Sequence, residues 1–129
     1  MNKEVLIGKA MEAMTNAYAP YSHFYMGAAL LTKEGKIYTG SDVEDTSGAV
    51  TCAERTAFFS AVSNGERSFS ALAVVGGYYG RVEDFCFPCE ICIQTISEFC
   101  DRKFLIYLYN GIEIRTYTLD EFLPIKFEV

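Results

Sequence analysis

The chain has 129 residues, 50% of them hydrophobic and 22% charged, a composition that supports one globular domain over residues 1–129 rather than a disordered chain. Its formal net charge of −6 argues against nucleic-acid binding, which needs Lys and Arg to neutralise phosphates. The longest apolar runs, 71–75 and 104–109, are far shorter than the ~20 residues of a membrane span, and the N-terminal pattern is not that of a signal peptide. We therefore expect a cytoplasmic protein with a small neutral or cationic substrate and with no nucleic-acid or membrane partner.

Hydrophobic periodicity and turn residues divide the chain into helices and strands. The predicted elements, in chain order, are a helix over 5–18, strands over 25–32 and 37–42, a helix over 52–63, a strand over 70–75, a helix from Pro88 to about Cys100, strands over 104–109 and 112–117, and a short helix from Thr118. The 70–75 run is almost wholly apolar, as expected for a central strand covered on both faces. This order predicts an α/β fold of three layers, α-β-α, with a mixed sheet of about five strands.

Several element boundaries have specific local signals. The Ala19-Pro20 step ends the first helix, and Pro88 suits the first position of a helix. Asn110-Gly111 is the strongest two-residue hairpin signal in the chain. Residues 118–121 have the form of a capping box, and Pro124 closes the short helix that they begin.

The number of cysteines is odd. They are Cys52, Cys86, Cys89, Cys92 and Cys100. In a chain without a secretory signal, this count argues against a disulfide framework and favours metal binding or buried thiols.

Three of these cysteines lie where two predicted helices begin. Cys52 opens one helix and Cys89 and Cys92 open the other, and a helix N-terminus stabilises the thiolate form that binds zinc. Cys89 and Cys92 are three residues apart on one helix face, so both can reach one ion, and Cys52 can supply a third sulfur. Three ligands leave one tetrahedral position of zinc for water, which predicts one catalytic Zn2+ per chain. Glu54, two residues after the first ligand, is placed to take a proton from that water.

These residues resemble the signature of the cytidine deaminase family. Zinc deaminases pair an H-x-E motif with P-C-x-x-C, and three-cysteine ligand sets also occur; this chain has Cys52-Ala53-Glu54 and Pro88-Cys89-Glu90-Ile91-Cys92. Other segments similar to the family follow in the same order: Ala17-Tyr18-Ala19-Pro20-Tyr21-Ser22, Phe24, Gly27-Ala28-Ala29-Leu30, Cys52-Ala53-Glu54-Arg55-Thr56-Ala57 and Leu123-Pro124. The resemblance runs from about Val5 to Phe127.

The resemblance implies a zinc-dependent hydrolytic deaminase of a free nucleoside. In the family the three cysteines hold zinc, and the glutamate, here Glu54, passes protons from the attacking water to the ring nitrogen and the leaving ammonia. Arg55 matches the family's C-A-E-R, and we expect it to donate to the sulfurs and to offset the net −1 charge of three thiolates with Zn2+. Phe24 is expected to pack against the pyrimidine ring, and Ala53 to contact the substrate. The family is homotetrameric, and Phe127 is expected to reach a neighbour's site.

The substrate loop departs from the family pattern. Where the family has N-x-E-N-A and then an aromatic residue, this chain has Asp42-Val43-Glu44-Asp45-Thr46 and then Gly48. In the family the Asn and Glu hold the ribose hydroxyls, so Asp42 and Glu44 are the expected sugar contacts, on one side of an extended segment. The second arginine of the family's P-C-G-x-C-R-Q is also missing, because Ile93 stands there.

These departures leave three functions open. The first is deamination of free cytidine and 2'-deoxycytidine to uridine or 2'-deoxyuridine and ammonia. The second is deamination of another aminated nucleoside analogue, of blasticidin type, that carries a cationic group. The third is a non-catalytic, zinc-stabilised nucleoside-binding protein, against which the retained Glu54 counts.

Two other residues have alternative interpretations. With the three predicted ligands, Cys86 could form a closed four-cysteine zinc site or hold an iron–sulfur cluster. Its place before Pro88, outside the helix, argues against both, and Cys86 and Cys100 are better interpreted as buried thiols. His23 lies beside Phe24 in a loop and is interpreted as a surface histidine rather than a ligand.

Overall fold

Helices cover both faces of one five-stranded sheet in the structure, a computed structural model that describes residues 2–123. The elements are α1 (Lys3–Met14), β1 (Phe24–Thr32), β2 (Ile37–Ser41), β3 (Val43–Glu44), β4 (Val50–Thr51), α2 (Ala53–Ser63), β5 (Phe69–Tyr78), α3 (Glu90–Phe99), β6 (Leu105–Tyr109), β7 (Ile114–Thr118) and a closing 3-10 turn (Leu119–Phe122). None of the described helices is long and apolar enough to cross a membrane.

The sheet is mixed, with the strand order β2-β1-β5-β6-β7. Strands β5 and β6 are parallel and are connected through α3, while the other neighbours in the sheet are antiparallel. The short strands β3 and β4 pair with each other outside this sheet. The predicted α/β fold with about five strands is confirmed.

Side chains alternate between the two faces of the central strands, as the two-residue period of a strand requires. On β1, Ala29 joins the apolar cluster that contains Leu6 and Ala10 of α1. Its neighbours Ala28 and Leu30 join the cluster beneath α2 and α3. The result is the predicted α-β-α layering, in which α1 is the one helix of residues 2–123 on its face of the sheet.

The first turn of α2 lies directly on β2 because that strand has a glycine at the contact. A Cβ atom at Gly40 would lie 2.6 Å from the Ala53 carbonyl oxygen and 2.5 Å from the Ala57 amide nitrogen. Those distances are shorter than van der Waals contact, so only glycine permits this approach. The contact holds the beginning of α2, which carries Cys52 and Glu54, against the sheet.

Two predicted helix boundaries were wrong. Helix α1 ends at Met14 rather than residue 18, because the backbone at Tyr18 bonds instead to β3: its amide donates to Asp42 and its carbonyl accepts from Glu44. Helix α3 begins at Glu90 with Cys89 as its N-cap, so Pro88 precedes the cap instead of occupying the first helical position.

The remaining differences lie in β5 and beyond. Strand β5 continues to Tyr78, past the predicted end at residue 75. The Asn110-Gly111 hairpin forms, but its loop has four residues, because the Asn110 side chain accepts hydrogen bonds from the Ile112 and Glu113 amides and β7 starts only at Ile114. The predicted capping box at Thr118 is present, but the turn it caps is of the 3-10 type.

Candidate functional site

The N-termini of α2 and α3 meet at one place. Cys52 is the N-cap of α2 and Cys89 is the N-cap of α3, and their Sγ atoms are 4.0 Å apart. Both residues have extended backbone, so each lies just before its helix begins. The unpaired amides and the positive end of the helix dipole lie at the same point. Two helix N-termini therefore face a common centre.

Three thiols surround this centre. The Sγ atoms of Cys52, Cys89 and Cys92 all lie within 4.8 Å of one another, and those of Cys89 and Cys92 are 3.3 Å apart. Around a tetrahedral zinc ion with Zn–S bonds of about 2.3 Å, two sulfurs are about 3.8 Å apart. The donor set and its spacing thus fit Zn2+. Cys86 is not part of this group.

The surroundings of the thiols favour the thiolate form at Cys52. Hydrogen bonding from Cys92, and then the Arg55 guanidinium, lower the pKa of Cys52 to about 5. The Nη2 atom of Arg55 is 3.7 Å from Cys52 Sγ and 3.0 Å from the Val50 carbonyl oxygen. The amide of Cys92 also donates to Cys89 Sγ, at 3.4 Å.

Glu54 lies in the first turn of α2, and its side chain is completely buried. Neither of its carboxylate oxygens has a hydrogen-bond partner among the described residues. Burial raises the pKa of this carboxyl to about 7. A buried, unpaired carboxylate is costly, so its position beside the thiols indicates a site that a bound ligand completes.

The two predicted sugar contacts, Asp42 just before β3 and Glu44 within it, are both buried. They are 2% and 6% exposed, whereas Val43 between them is 43% exposed. Glu44 accepts hydrogen bonds from the Tyr21 and Ser22 amides and from the Ser22 hydroxyl. The Ser22 hydroxyl is the main cause of the lowered pKa of Glu44, so this carboxylate is ionised and firmly held.

Asp42 has a different environment. Its Oδ1 atom accepts a hydrogen bond from the Met26 amide at 2.8 Å. Burial raises the pKa of Asp42, and the nearby negative charges of Glu44 and Cys52 act in the same direction. The two neighbouring carboxyls therefore have opposite shifts: the pKa of Glu44 is lowered by its hydrogen bonds, and the pKa of Asp42 is raised by burial.

A pocket of about 600 Å3 opens beside Glu44. The described residues that line it are Tyr21, Ser22, Glu44, Asp45, Thr46, Gly48 and Val50, and the three thiols and Glu54 are not among them. Two of them are acidic and none is basic, so this lining favours neutral or cationic ligands over anions.

The other predicted residues are placed as follows. Ala53 is completely buried at the first position of α2. Phe24 begins β1, and its ring meets Tyr78 edge to face, with centroids 5.0 Å apart. His23 stacks on Tyr79 and is not part of the metal-binding group. Phe127 lies outside the described residues.

Sequence reasoning gave no role to two groups that shape the site. Ser22 holds Glu44, and its place in the family-like Tyr21-Ser22 segment was a usable signal. The Met26 amide donates a hydrogen bond to Asp42. The sequence could not predict this contact, because every residue except proline has a backbone amide.

Cys86 and Cys100 are partly buried free thiols, and burial raises the pKa of each to about 12.

Comparison with known proteins gives consistent matches. The family model for the cytidine and deoxycytidylate deaminase zinc-binding region matches residues 1–108. Cytidine deaminase from Sporosarcina psychrophila is 47% identical over 126 residues, which cover 96% of this chain and 90% of the relative. Blasticidin-S deaminase from Bacillus cereus is 35% identical over 127 residues, covering 95% and 89%. The crystal structure of cytidine deaminase from Burkholderia pseudomallei aligns with a TM-score of 0.89 at 39% identity, covering 96% of this chain and 98% of that one.

The matched region includes both helix N-termini, the three thiols and the buried glutamate. It therefore contains three thiols that could hold a metal ion and a buried carboxyl beside them, the kinds of group that zinc-assisted hydrolysis uses. From this family match and this donor set we conclude that the chain belongs to the cytidine deaminase family of zinc-dependent hydrolytic deaminases.

Proposed function

We propose that the chain hydrolyses the amino group of free cytidine and 2'-deoxycytidine, giving uridine or 2'-deoxyuridine and ammonia. The observation that carries the proposal is the buried Glu54 carboxylate, unpartnered within residues 2–123, beside the thiols of Cys52, Cys89 and Cys92. The substrate follows from the relatives that are cytidine deaminases.

The chain's own residues account for the proton transfers. Cys52, Cys89 and Cys92 would hold the zinc ion, which when bound supplies Lewis-acid activation of the attacking water. Glu54 takes a proton from this water as its oxygen bonds to the amine-bearing ring carbon, and returns the proton to the ring nitrogen. Glu54 then carries the second proton of the water to the amine, the C–N bond breaks and ammonia leaves. Arg55 keeps Cys52 in place and offsets the thiolate charge.

Four residues are proposed to hold the substrate. Phe24 packs against the pyrimidine ring, and Ala53, between Cys52 and Glu54, borders the reacting end of the base. Asp42 and Glu44 contact the sugar hydroxyls, supported by their burial just before β3 and within it. Glu44, held ionised, accepts from a hydroxyl, and Asp42 likewise accepts when ionised and donates only while protonated.

A free nucleoside fits the pocket better than a nucleotide. Glu44 and Asp45 line the pocket, and none of the described lining residues is basic. A 5'-phosphate would bring about two negative charges close to these carboxylates without a compensating cation. Deoxycytidylate, the other substrate type in the name of the family model, is therefore disfavoured.

A cationic aminated nucleoside is the second candidate substrate. The acidic lining of the pocket favours a positive charge, and one relative at 35% identity is a blasticidin-S deaminase. An amine or guanidinium placed where cytidine has its sugar would bind between Asp42 and Glu44 as an ion pair.

Ammonia release from a panel of substrates tests these proposals. The panel contains cytidine, 2'-deoxycytidine, deoxycytidylate and blasticidin S, each assayed with the parent protein and with Glu54→Gln. Ammonia from cytidine and 2'-deoxycytidine with the parent protein, and none with Glu54→Gln, supports the proposed function. Preference for blasticidin S supports the second candidate. If none of the four compounds yields ammonia, both candidate activities are contradicted. The chain is then better interpreted as a non-catalytic nucleoside-binding protein.

We also propose that the active form is a homotetramer of this single domain, in which Phe127 reaches a neighbour's pocket. Several large apolar side chains exposed on the described surface support association: Tyr18, Tyr21, Phe59, Tyr78, Tyr79, Phe87 and Ile91. The five free cysteines fit a reducing compartment. We therefore place the enzyme in the cytoplasm, in pyrimidine salvage.

A further inference from the structure

A glycine on β5 lies under the aromatic ring of Phe24. Gly76 pairs with Met26 across β1 and β5, and the next pair on the same side is Phe24 with Tyr78. The face that they share continues the row of Ala28, which packs beneath α2 and α3. Gly76 is therefore on the side of the sheet where the two helix N-termini meet.

The space above Gly76 is filled by two side chains from other segments. A Cβ atom at this position would lie 2.9 Å from Cys86 Sγ and 3.0 and 3.2 Å from Cε2 and Cζ of Phe24. The backbone of Gly76 does not have a positive φ. An added methyl group would therefore meet a contact problem only, without backbone strain.

We propose that Gly76 is a positioning residue that, together with Cys86, sets the ring of Phe24 for substrate binding. The inference rests on the proposed function, in which Phe24 packs against the pyrimidine ring. The lack of a side chain at Gly76 lets the ring and the Cys86 sulfur pack closely over the strand. Any larger residue at this position displaces one of them.

The structure has space for a displaced Phe24 ring. A cavity of about 150 Å3 lies beside it, lined by Phe24, Gly76, Gly77, Tyr78, Arg81, Glu83, Asp84, Phe85 and Cys86. Phe24 itself is only partly buried, at the edge of the apolar core. Gly76→Ala should therefore shift the ring toward the cavity rather than unfold the protein.

Cys86 defines the other side of the contact. Its thiol packs against the apolar cluster beneath α2 and α3. Burial, followed by the nearby charge of Glu54, raises the pKa of Cys86 to about 12, so the sulfur is a neutral group near the catalytic carboxylate. We assign it a packing role at the floor of the site, outside the metal-binding group.

Steady-state kinetics with cytidine test the role of Gly76. Gly76→Ala should raise KM about 3- to 10-fold, the worth of one aromatic contact, and leave kcat within about twofold because the proton-transfer group is untouched. Gly8→Ala is the matched control, since a methyl there meets nothing within 4 Å, and its KM should equal that of the parent.

A double-mutant cycle separates positioning from a merely structural effect. In a Phe24→Ala background, Gly76→Ala should change KM no further, because the ring through which it acts is gone. Adding Cys86→Ala to Gly76→Ala should recover part of the lost affinity by freeing space for the methyl group. If Gly76→Ala does not fold, Cys86→Ala is the second variant, because it removes the sulfur that packs over Gly76 beside the Phe24 ring. Cys86→Ala should raise KM in the parent and leave KM unchanged in the Phe24→Ala background.

The outcomes are distinct. An unchanged KM for a folded Gly76→Ala, or the same rise in KM with and without Phe24, overturns the positioning role while the proposed function stands. A parent protein that releases no ammonia from cytidine overturns both.

Discussion

At the scale of single residues, Glu54 has the least ordinary environment in the described part of the chain. Its carboxylate is completely buried and its oxygens have no hydrogen-bond partner there. Such a group destabilises a fold unless a ligand or a reaction requires it. The proposed role in proton transfer accounts for its presence.

Glu54→Gln should retain the fold and bind zinc, but lose turnover by a factor on the order of 10²–10⁴ or more, because an amide cannot accept and return a proton. Circular dichroism, elemental analysis and ammonia release measure the three properties. Glu66→Gln is the control: Glu66 is also buried but accepts from the Tyr38 hydroxyl at 2.8 Å, and its activity should stay near that of the parent. Normal turnover in Glu54→Gln would show that another group is the base.

Asp42 gives the second prediction at this scale. Both an Asp and an Asn can accept the Met26 amide at Oδ1, as Asp42 does, but only Asn donates to a sugar hydroxyl at every pH. An Asp donates only while protonated, so binding of cytidine by the parent should weaken as pH rises through the raised pKa of Asp42. Asp42→Asn should remove this slope from a plot of kcat/KM against pH. Parallel profiles for parent and variant would contradict the role.

Unfolding gives an independent measure of the same group. Because the folded-state pKa of Asp42 is raised above the ordinary value of 3.8, the folded state binds more protons than the unfolded state between the two pKa values. The free energy of unfolding of the parent should therefore fall as pH rises through that window and level off above it. Relative to the parent, Asp42→Asn should become more stable over the same window in urea titrations.

At the scale of elements, the site depends on two helix N-termini brought together from distant parts of the chain. Cys52 caps α2, and Cys89 and Cys92 lie at the beginning of α3. An ion bound by all three links the two helices and stabilises only the folded state. Zinc should therefore contribute to stability as well as to catalysis.

Removal of zinc with a chelator should lower the melting temperature and abolish turnover, and added Zn2+ should restore both. Cys89→Ser should lose the metal, whereas Cys86→Ser should keep one zinc per chain, because Cys86 is outside the metal-binding group. Elemental analysis of the purified variants measures the zinc content per chain. Loss of zinc from Cys86→Ser would favour the four-cysteine site.

At the scale of the whole molecule, several large apolar side chains are exposed on the described surface. Phe59 and Ile91, at 49% and 60% exposure, line a surface groove on the outer side of α2 and α3. Gln94, Thr95 and Glu98 line the same groove, and exposed apolar side chains rimmed by polar ones are found at protein–protein contacts. The proposed tetramer would cover part of it.

Light scattering at working concentration should give the mass of four 14.4 kDa chains. If loops of neighbouring subunits complete each pocket, specific activity should fall on dilution in parallel with loss of the tetramer. A monomer that retains full specific activity would contradict the proposal.

The order of elements, the α/β class and the motifs that mark the family could all be predicted from the amino-acid sequence. These features depend on local patterns: apolar periodicity, turn residues, and cysteines placed at the starts of helices. The expectation that Cys52, Cys89 and Cys92 would meet follows from the same patterns, and their sulfurs lie together in the structure. Cys52 and Glu54 are two residues apart, so their proximity needs no knowledge of the fold.

Features that depend on distant segments could not be predicted from the sequence, because they are set by how the segments pack in the fold. The early end of α1 results from bonds between Tyr18 and β3, and the hold on Glu44 from the amides and hydroxyl of the segment before β1. The space over Gly76 is filled by side chains that lie 52 residues before it and 10 residues after it, Phe24 and Cys86. The contacts of backbone amides and the spaces between side chains follow no sequence pattern, because they are set by how the packed segments approach one another.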